Sequence, residues 1–352
     1  MAVSASHQLL PNDSFSVKRT DNVPPFQSPV SESLQTNADA FPARHDHHLS
    51  TPNFCSPSRS VFPVDARTSE PSSINCILRE NNRVRLFVYP LQWTSKHLLL
   101  LGCKFLRKTV RGESRTRNTG GHTPDNACAS DSITSSIDDI RHAYSSELKA
   151  SLIGCLLQTH GIHSSSCDLS FRFGQRVVDT LPTDGLFSCS PSSSDPPTLA
   201  YLDLGTTAQR RNRRIVPRTK PNPPMARLQQ IHTRRLRPKK ETEDPYIAAV
   251  LIAMAQGWHH IEDHKKTPEY KVHLLALPAT KARVAPSRLY FYKAIIPRTF
   301  LDRFDYPSQD SQCDSIVISY YCIPLKPEAE MRQAIGFVIS NLYSAMNLGQ
   351  IH

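Results

Sequence analysis

Residues 243–256 read Glu-Asp-Pro-Tyr-Ile-Ala-Ala-Val-Leu-Ile-Ala-Met-Ala-Gln, and this stretch predicts a buried helix. Asp244 followed by Pro245 is typical of a helix N-terminus, because aspartate caps free amides and proline is tolerated at the first helical position. Ten consecutive apolar residues follow, from Tyr246 to Ala255. A helix that is apolar on all sides is buried on most of them. The stretch therefore predicts the central helix of a folded domain.

Three apolar stretches follow this helix, at 271–277, 289–296 and 315–323, and each one is stopped by a proline. Their β-branched and aromatic residues predict strands. A last helix begins near Pro327, with apolar residues at helical spacing: Met331, Ile335, Val338, Leu342 and Ala345. Because both faces of the strands are apolar, each face needs a helix. We therefore predict an α+β domain at 243–350, in which a small three-stranded sheet has a helix at each end, in the order α-β-β-β-α.

The chain before this domain shows weaker patterns. Residues 1–73 contain 14 Ser and 9 Pro without a sustained period, which predicts a long disordered leader. Residues 74–185 are ambiguous. The stretches 77–78 and 84–88 predict a weak hairpin, and 136–158 predicts one amphipathic helix.

The amphipathic helix has one apolar face, formed by Ile137, Ile140, Tyr144, Leu148, Leu152, Cys155 and Leu156. Two interpretations are open. The helix packs on another part of this protein, or its apolar face binds a partner.

All the excess positive charge lies in one segment. The chain carries a net charge of +11, and residues 206–240 contain 12 Lys and Arg with no Asp or Glu. We therefore assign 186–242 to a Ser/Pro linker followed by a basic arm. The two clusters of the arm consist of Arg210, Arg211, Arg213, Arg214, Arg234, Arg235, Arg237, Lys239 and Lys240.

The basic arm has three interpretations: a signal for an import receptor, a binding site for the phosphates of nucleic acid, or a solvated linker. The nine Cys include no CxxC pair, and residues 1–20 lack the apolar core of a signal peptide. These features predict reduced thiols and an intracellular protein. No run approaches 18 apolar residues, so no membrane partner is expected. The arm favours the nucleus over the cytoplasm, and the sequence predicts a non-enzymatic nuclear interaction protein.

Two local patterns suggest chemistry, and a simpler interpretation outweighs each. Five residues within 259–264 have side chains that bind metals: His259, His260, Glu262, Asp263 and His264. They fall where we predict a solvated loop, so we expect no metal ligand. Residues 202–207, Leu-Asp-Leu-Gly-Thr-Thr, resemble the phosphate loop of actin-like ATPases. Those proteins need a large two-lobed fold after the motif, so we attribute the match to chance.

Catalysis has no positive support in the sequence. The predicted α-β-β-β-α order resembles the core of restriction-endonuclease-like nucleases, which hold metal through acids on the second and third strands. Neither 289–296 nor 315–323 contains a carboxylate. The chain also lacks GxSxG, P-loop, GxGxxG and HExxH motifs. We predict no catalytic residue, no cofactor and no metal, with a degenerate or unrecognised enzyme of nuclease-like topology as the alternative.

Five stretches resemble a group of uncharacterised proteins of filamentous fungi: 243–256, 274–278, 289–297, 300–308 and 318–325. The resemblance spans about 243–335 and implies no activity. It does imply that residues 243–350 form one unit.

Overall fold

The computed structural model describes residues 73–109, 138–143, 145–189, 195–215, 222–261, 267–279, 284–311 and 313–346. All of them belong to one compact unit, Val64–His352. The predicted disordered leader, 1–73, lies outside the described residues except for Ser73.

The described residues form eight numbered helices and nine strands. The helices are α1 (Ile74–Glu80), α2 (Ser95–Leu101), α3 (Ser146–Gln158), α4 (Leu204–Ile215), α5 (Pro223–Leu236), α6 (Pro245–His259), α7 (Arg298–Asp305) and α8 (Glu328–Met346). Short 3-10 helices occupy Pro90–Gln92 and Glu241–Glu243. The strands are β1 (Cys103–Lys108), β2 (His163–Ser164), β3 (Ser170–Phe173), β4 (Arg176–Thr180), β5 (Gly185–Ser188), β6 (Leu199–Asp203), β7 (Glu269–Leu277), β8 (Arg288–Pro297) and β9 (Ile316–Pro324). Among these helices, none is long and apolar enough to cross a membrane.

Seven strands form one mixed sheet in the order β1-β9-β8-β7-β6-β5-β2, and β3 pairs with β4 in a second, two-stranded sheet. The prediction of a small three-stranded sheet is therefore wrong. Strands β7, β8 and β9 exist close to the predicted limits and pair antiparallel, but they are only the centre of a larger sheet. Parallel pairing with β6 on one side and β1 on the other supplies the backbone partners that their open edges lack.

Helix α6 covers one face of the sheet, and α3 and α8 cover the other. Every residue of α6 from Pro245 to Gln256 is buried, as its apolar run predicts. It packs against side chains that alternate along the central strands: Val272, Leu274, Ala276, Tyr292, Ala294, Ile318 and Tyr320. The opposite face contacts Ile153 and Leu156 of α3 and Val338 and Leu342 of α8. Both faces are therefore covered, which explains why the strands are apolar on both sides.

The region before Glu243 differs from the prediction in three places. Helix α1 occupies the position of the first strand of the predicted hairpin, and residues 84–88 form no strand. The predicted helix 136–158 is divided into a short helical segment at 138–142 and α3, which begins after its N-cap, Ser145. Helix α3 packs in the core of this protein through Ile153, Leu156 and Leu157, although Leu148 and Cys155 of the predicted apolar face are exposed. This packing supports the first of the two interpretations of that helix.

The third difference lies in the segment 186–242, which we expected to be linker and arm. It contains β6, which lies between β7 and β5 in the large sheet, and all five residues of that strand are buried. Strand β6 is an unbroken apolar run that ends at Asp203, the pattern of a strand that is buried on both faces. Its short length and the Ser, Pro and Arg residues around it explain why composition indicated a linker.

Candidate functional site

Helices α4 and α5 form most of the predicted basic arm, and the first cluster of the arm, which lies on α4, makes contacts within the fold. Arg211 is 3% exposed. Its Nη2 donates to Asp244 Oδ1 at 2.7 Å, and its Nε donates to the Leu91 carbonyl at 2.9 Å. The same carboxylate oxygen accepts the amide of Tyr246 and so caps α6. Arg211 therefore attaches the arm to the central helix.

Other arginines of the first cluster also pair with carboxylates. Arg210 donates to Asp184 Oδ1 at 2.9 Å. Arg214 lies 3.4 Å from Asp179 and stacks over the Tyr89 ring at 4.9 Å. Arg213 points outward and is exposed. The charge of the first cluster is thus largely compensated within the protein.

The second cluster is accessible. Arg234, Arg235, Arg237, Lys239 and Lys240 are all exposed. Lys240 donates to Glu243 at 2.9 Å, and this hydrogen bond raises the pKa of the lysine. None of the other four forms an ion pair within the part of the chain that the structure describes. Four of the five charges of this cluster are therefore not compensated by an ion pair among the described residues.

Helix α5 presents apolar side chains beside these cations. Asn222 caps the helix by accepting the amide of Met225, and Pro223 occupies its first turn. Leu228 is 58% exposed and Ile231 is 39% exposed. We call this outward region the α5 surface, which consists of Arg227, Leu228, Ile231, Arg234, Arg235, Arg237, Lys239 and Lys240.

The pattern at 202–207 does not form a phosphate site. Strand β6 ends at Asp203 and α4 begins at Leu204, so no loop separates them. Asp203 Oδ1 accepts the amides of Gly205 at 2.8 Å and Thr206 at 3.2 Å. A phosphate loop needs such amides free to bind an anion. The protein's own carboxylate occupies them here.

The carboxylates of Asp184 and Asp203 lie together at this end of the sheet, but all four of their oxygens have partners. Lys149 donates to Asp203 Oδ2 at 3.3 Å, and the Asp203 amide donates to Asp184 Oδ2 at 2.7 Å. Arg210 donates a hydrogen bond to the remaining oxygen of Asp184, Oδ1. Burial raises the pKa of Asp184 despite these contacts. The group is a structural network and not an open acid site for metal-dependent cleavage.

Of the five candidate metal-binding residues within 259–264, the structure describes two. His259 is the last residue of α6 and is 7% exposed, so the expected solvated loop does not begin there. His260 is the C-cap of the same helix. Glu262, Asp263 and His264 lie outside the described residues. Both histidines face α7, where Asp302 and Asp305 approach them.

Sequence reasoning missed the two aspartates because they are about 40 residues from the histidines. Their spacing of three places both on one face of α7, which is the only local signal that they act together.

An apolar cavity of about 560 Å³ lies between α1, α2 and β3. Its walls are largely aromatic, with contributions from Phe87, Trp93, Phe171, Phe173 and Phe304.

The comparisons with known proteins give no match. No protein-family model, no curated protein and no solved structure is significantly similar to this chain.

Proposed function

We propose that this protein is a non-enzymatic interaction protein of the nucleus, and that an import receptor recognises its second basic cluster. One observation carries the proposal: Arg234, Arg235, Arg237, Lys239 and Lys240 are exposed in a segment without a single acidic residue. Uncompensated positive charge attracts an acidic surface and speeds its association.

The shape of the second cluster supports the same conclusion. Arg237 and Lys240 have extended backbone angles, because α5 ends at Leu236. Arg234 and Arg235 lie in the last turn of α5, whereas Arg237, Lys239 and Lys240 follow it, so an acidic surface can contact cations of the helix end and of the chain that leaves it. The first cluster cannot do this, since Arg210 and Arg211 are held by carboxylates of the fold.

The experiment replaces Arg234, Arg235, Arg237, Lys239 and Lys240 by Ala in a fluorescent fusion that is too large to diffuse through nuclear pores. We expect the fusion to move from the nucleus to the cytoplasm. A matched control replaces five exposed cations on other elements, Arg83, Arg85, Lys104, Arg107 and Lys108, and should stay nuclear. A five-alanine arm variant that remains nuclear contradicts the proposal.

Nucleic acid is the second candidate partner. Arg227 and Arg234 are seven residues apart on α5, so they lie on the same side of the helix two turns apart. Both side chains can therefore contact the phosphates of one nucleic-acid molecule. In that case the affinity for duplex DNA or RNA falls steeply with salt and the five-alanine arm variant reduces the slope. An affinity that does not depend on salt excludes this partner.

A further inference from the structure

The C-terminal end of α6 and the helix α7 bring two histidines and two aspartates together. His259 Nε2 lies 3.4 Å from Asp302 Oδ1 and 3.2 Å from Asp305 Oδ2. His260 Nε2 lies 3.5 Å from the other oxygen of Asp305. The ligand-type atoms of His259, Asp302 and Asp305 all lie within 4.8 Å of one another.

The separations of 3.4 and 3.5 Å fit ligands that share a metal, whereas the 3.2 Å from His259 to Asp305 also fits a hydrogen bond. Charge-assisted N–H···O bonds are about 2.7–2.9 Å long. Two ligands of a tetrahedral zinc ion, each about 2.0–2.2 Å from the metal, are about 3.3–3.6 Å apart. The observed distances of 3.2, 3.4 and 3.5 Å are close to this second range.

A second observation is the unsatisfied polar atoms in the cluster. Asp305 is 9% exposed. Its Oδ1 and the Nε2 of His260 are both buried and face each other at 3.5 Å, which is too long for a well-formed hydrogen bond, and neither has another hydrogen-bond partner among the described groups. A buried carboxylate oxygen that lacks a good partner is costly, and a cation bound to Asp305 would compensate its charge.

The surroundings orient the cluster. The Nδ1 atom of His259 lies 3.1 Å from the Tyr270 hydroxyl. This contact directs Nε2 toward the carboxylates, as the outer hydrogen bond of a metal-bound histidine commonly does. The histidines also lie at the C-terminal end of α6, where the helix dipole favours positive charge.

We propose that His259, Asp302 and Asp305 bind a zinc ion and that His260, beside the other oxygen of Asp305, positions that carboxylate. One imidazole and two carboxylates are three protein ligands, and one further ligand completes the tetrahedron that zinc prefers. The ion joins the end of the central helix α6 to α7 and thereby stabilises the fold. The inference is independent of the function proposed for the second basic cluster.

The test uses the full chain, stripped of metal by a chelator and then titrated with Zn²⁺ in a calorimeter and by thermal unfolding. We expect one equivalent to bind and to raise the Tm. His260→Ala and Asp302→Asn should each weaken zinc binding at least tenfold and abolish the rise in Tm. These two positions are chosen because their side chains are 29% and 35% exposed, so the variants keep the fold. His232→Ala removes an exposed imidazole from α5 and should bind zinc as the parent does.

Two outcomes would overturn the proposal. One is a parent whose Tm does not change with Zn²⁺, which would leave the cluster as a set of ion pairs. The other is undiminished zinc affinity in both His260→Ala and Asp302→Asn. Co²⁺ gives an independent readout, because a sulfur-to-cobalt charge-transfer band would place the metal on cysteines such as Cys103 or Cys313 instead.

Discussion

His273 is a titratable residue at the centre of the sheet. It is fully buried on β7 and stacks on Phe291, with ring centroids 5.6 Å apart. Burial, reinforced by the positive charge of Lys293, lowers the pKa of His273 to about 3. The unfolded chain takes up this proton near pH 6.5, whereas the folded protein resists it until about pH 3. Stability from this residue is therefore complete above pH 6.5 and is lost as the pH falls.

We expect His273 alone to reduce the free energy of unfolding by about 2 kcal/mol between pH 7 and pH 5. His273→Phe keeps an aromatic ring for the stack and cannot titrate, so its loss over the same interval should be smaller by that amount. Urea unfolding at the two pH values measures the difference. His232→Phe, at an exposed position on α5, should behave as the parent does. Equal losses in the parent and in His273→Phe would show that another group carries the pH dependence.

At the scale of elements, one buried ion pair connects α4 to the N-terminus of α6. The side chains of Arg211 and Asp244 are 4% and 5% exposed. Arg211→Met leaves the Asp244 carboxylate buried without its cation, which costs about 3–5 kcal/mol. Adding Asp244→Asn should recover much of the loss, because asparagine still caps the helix and carries no charge. Urea denaturation of the single and double variants measures the coupling.

The matched control for this pair is Arg213→Met, two residues along the same helix and exposed. It should change the free energy of unfolding by less than about 0.5 kcal/mol. If Arg211→Met is equally mild, the pair does not hold the two helices together.

At the scale of the whole molecule, the large sheet determines which part of the chain can fold alone. A fragment of residues 243–352 retains β7, β8 and β9 but loses β6 and β1, so both edges of its sheet lose their parallel partners. It also loses Arg211, the partner of the α6 cap. We expect this fragment to aggregate or to unfold without a cooperative transition, whereas the full chain unfolds cooperatively. Circular dichroism with urea titration measures this, and a sharp transition of the fragment would show that 243–350 is an independent domain.

The local pattern was sufficient for the elements of the C-terminal third. The apolar run from Tyr246 to Ala255 and the prolines at 278, 297 and 324 predicted α6, β7, β8 and β9 within about two residues. Such signals are reliable because proline ends a strand by removing an amide donor, and because a helix that is apolar all round has to be buried. The excess of Lys and Arg in the sequence also predicted the position of the second basic cluster.

The sequence by itself thus determined which segments of the last third are helix and strand and where the excess charge lies, because both depend on neighbours in the chain. Only the tertiary structure decided that β6 and β1 complete the sheet, that Arg211 binds Asp244, and that His259 meets Asp302. These contacts join residues 33 or more positions apart, and distant pairing leaves no periodic trace in either partner. Composition therefore made a buried strand look like linker, and a structural arginine look like part of a signal.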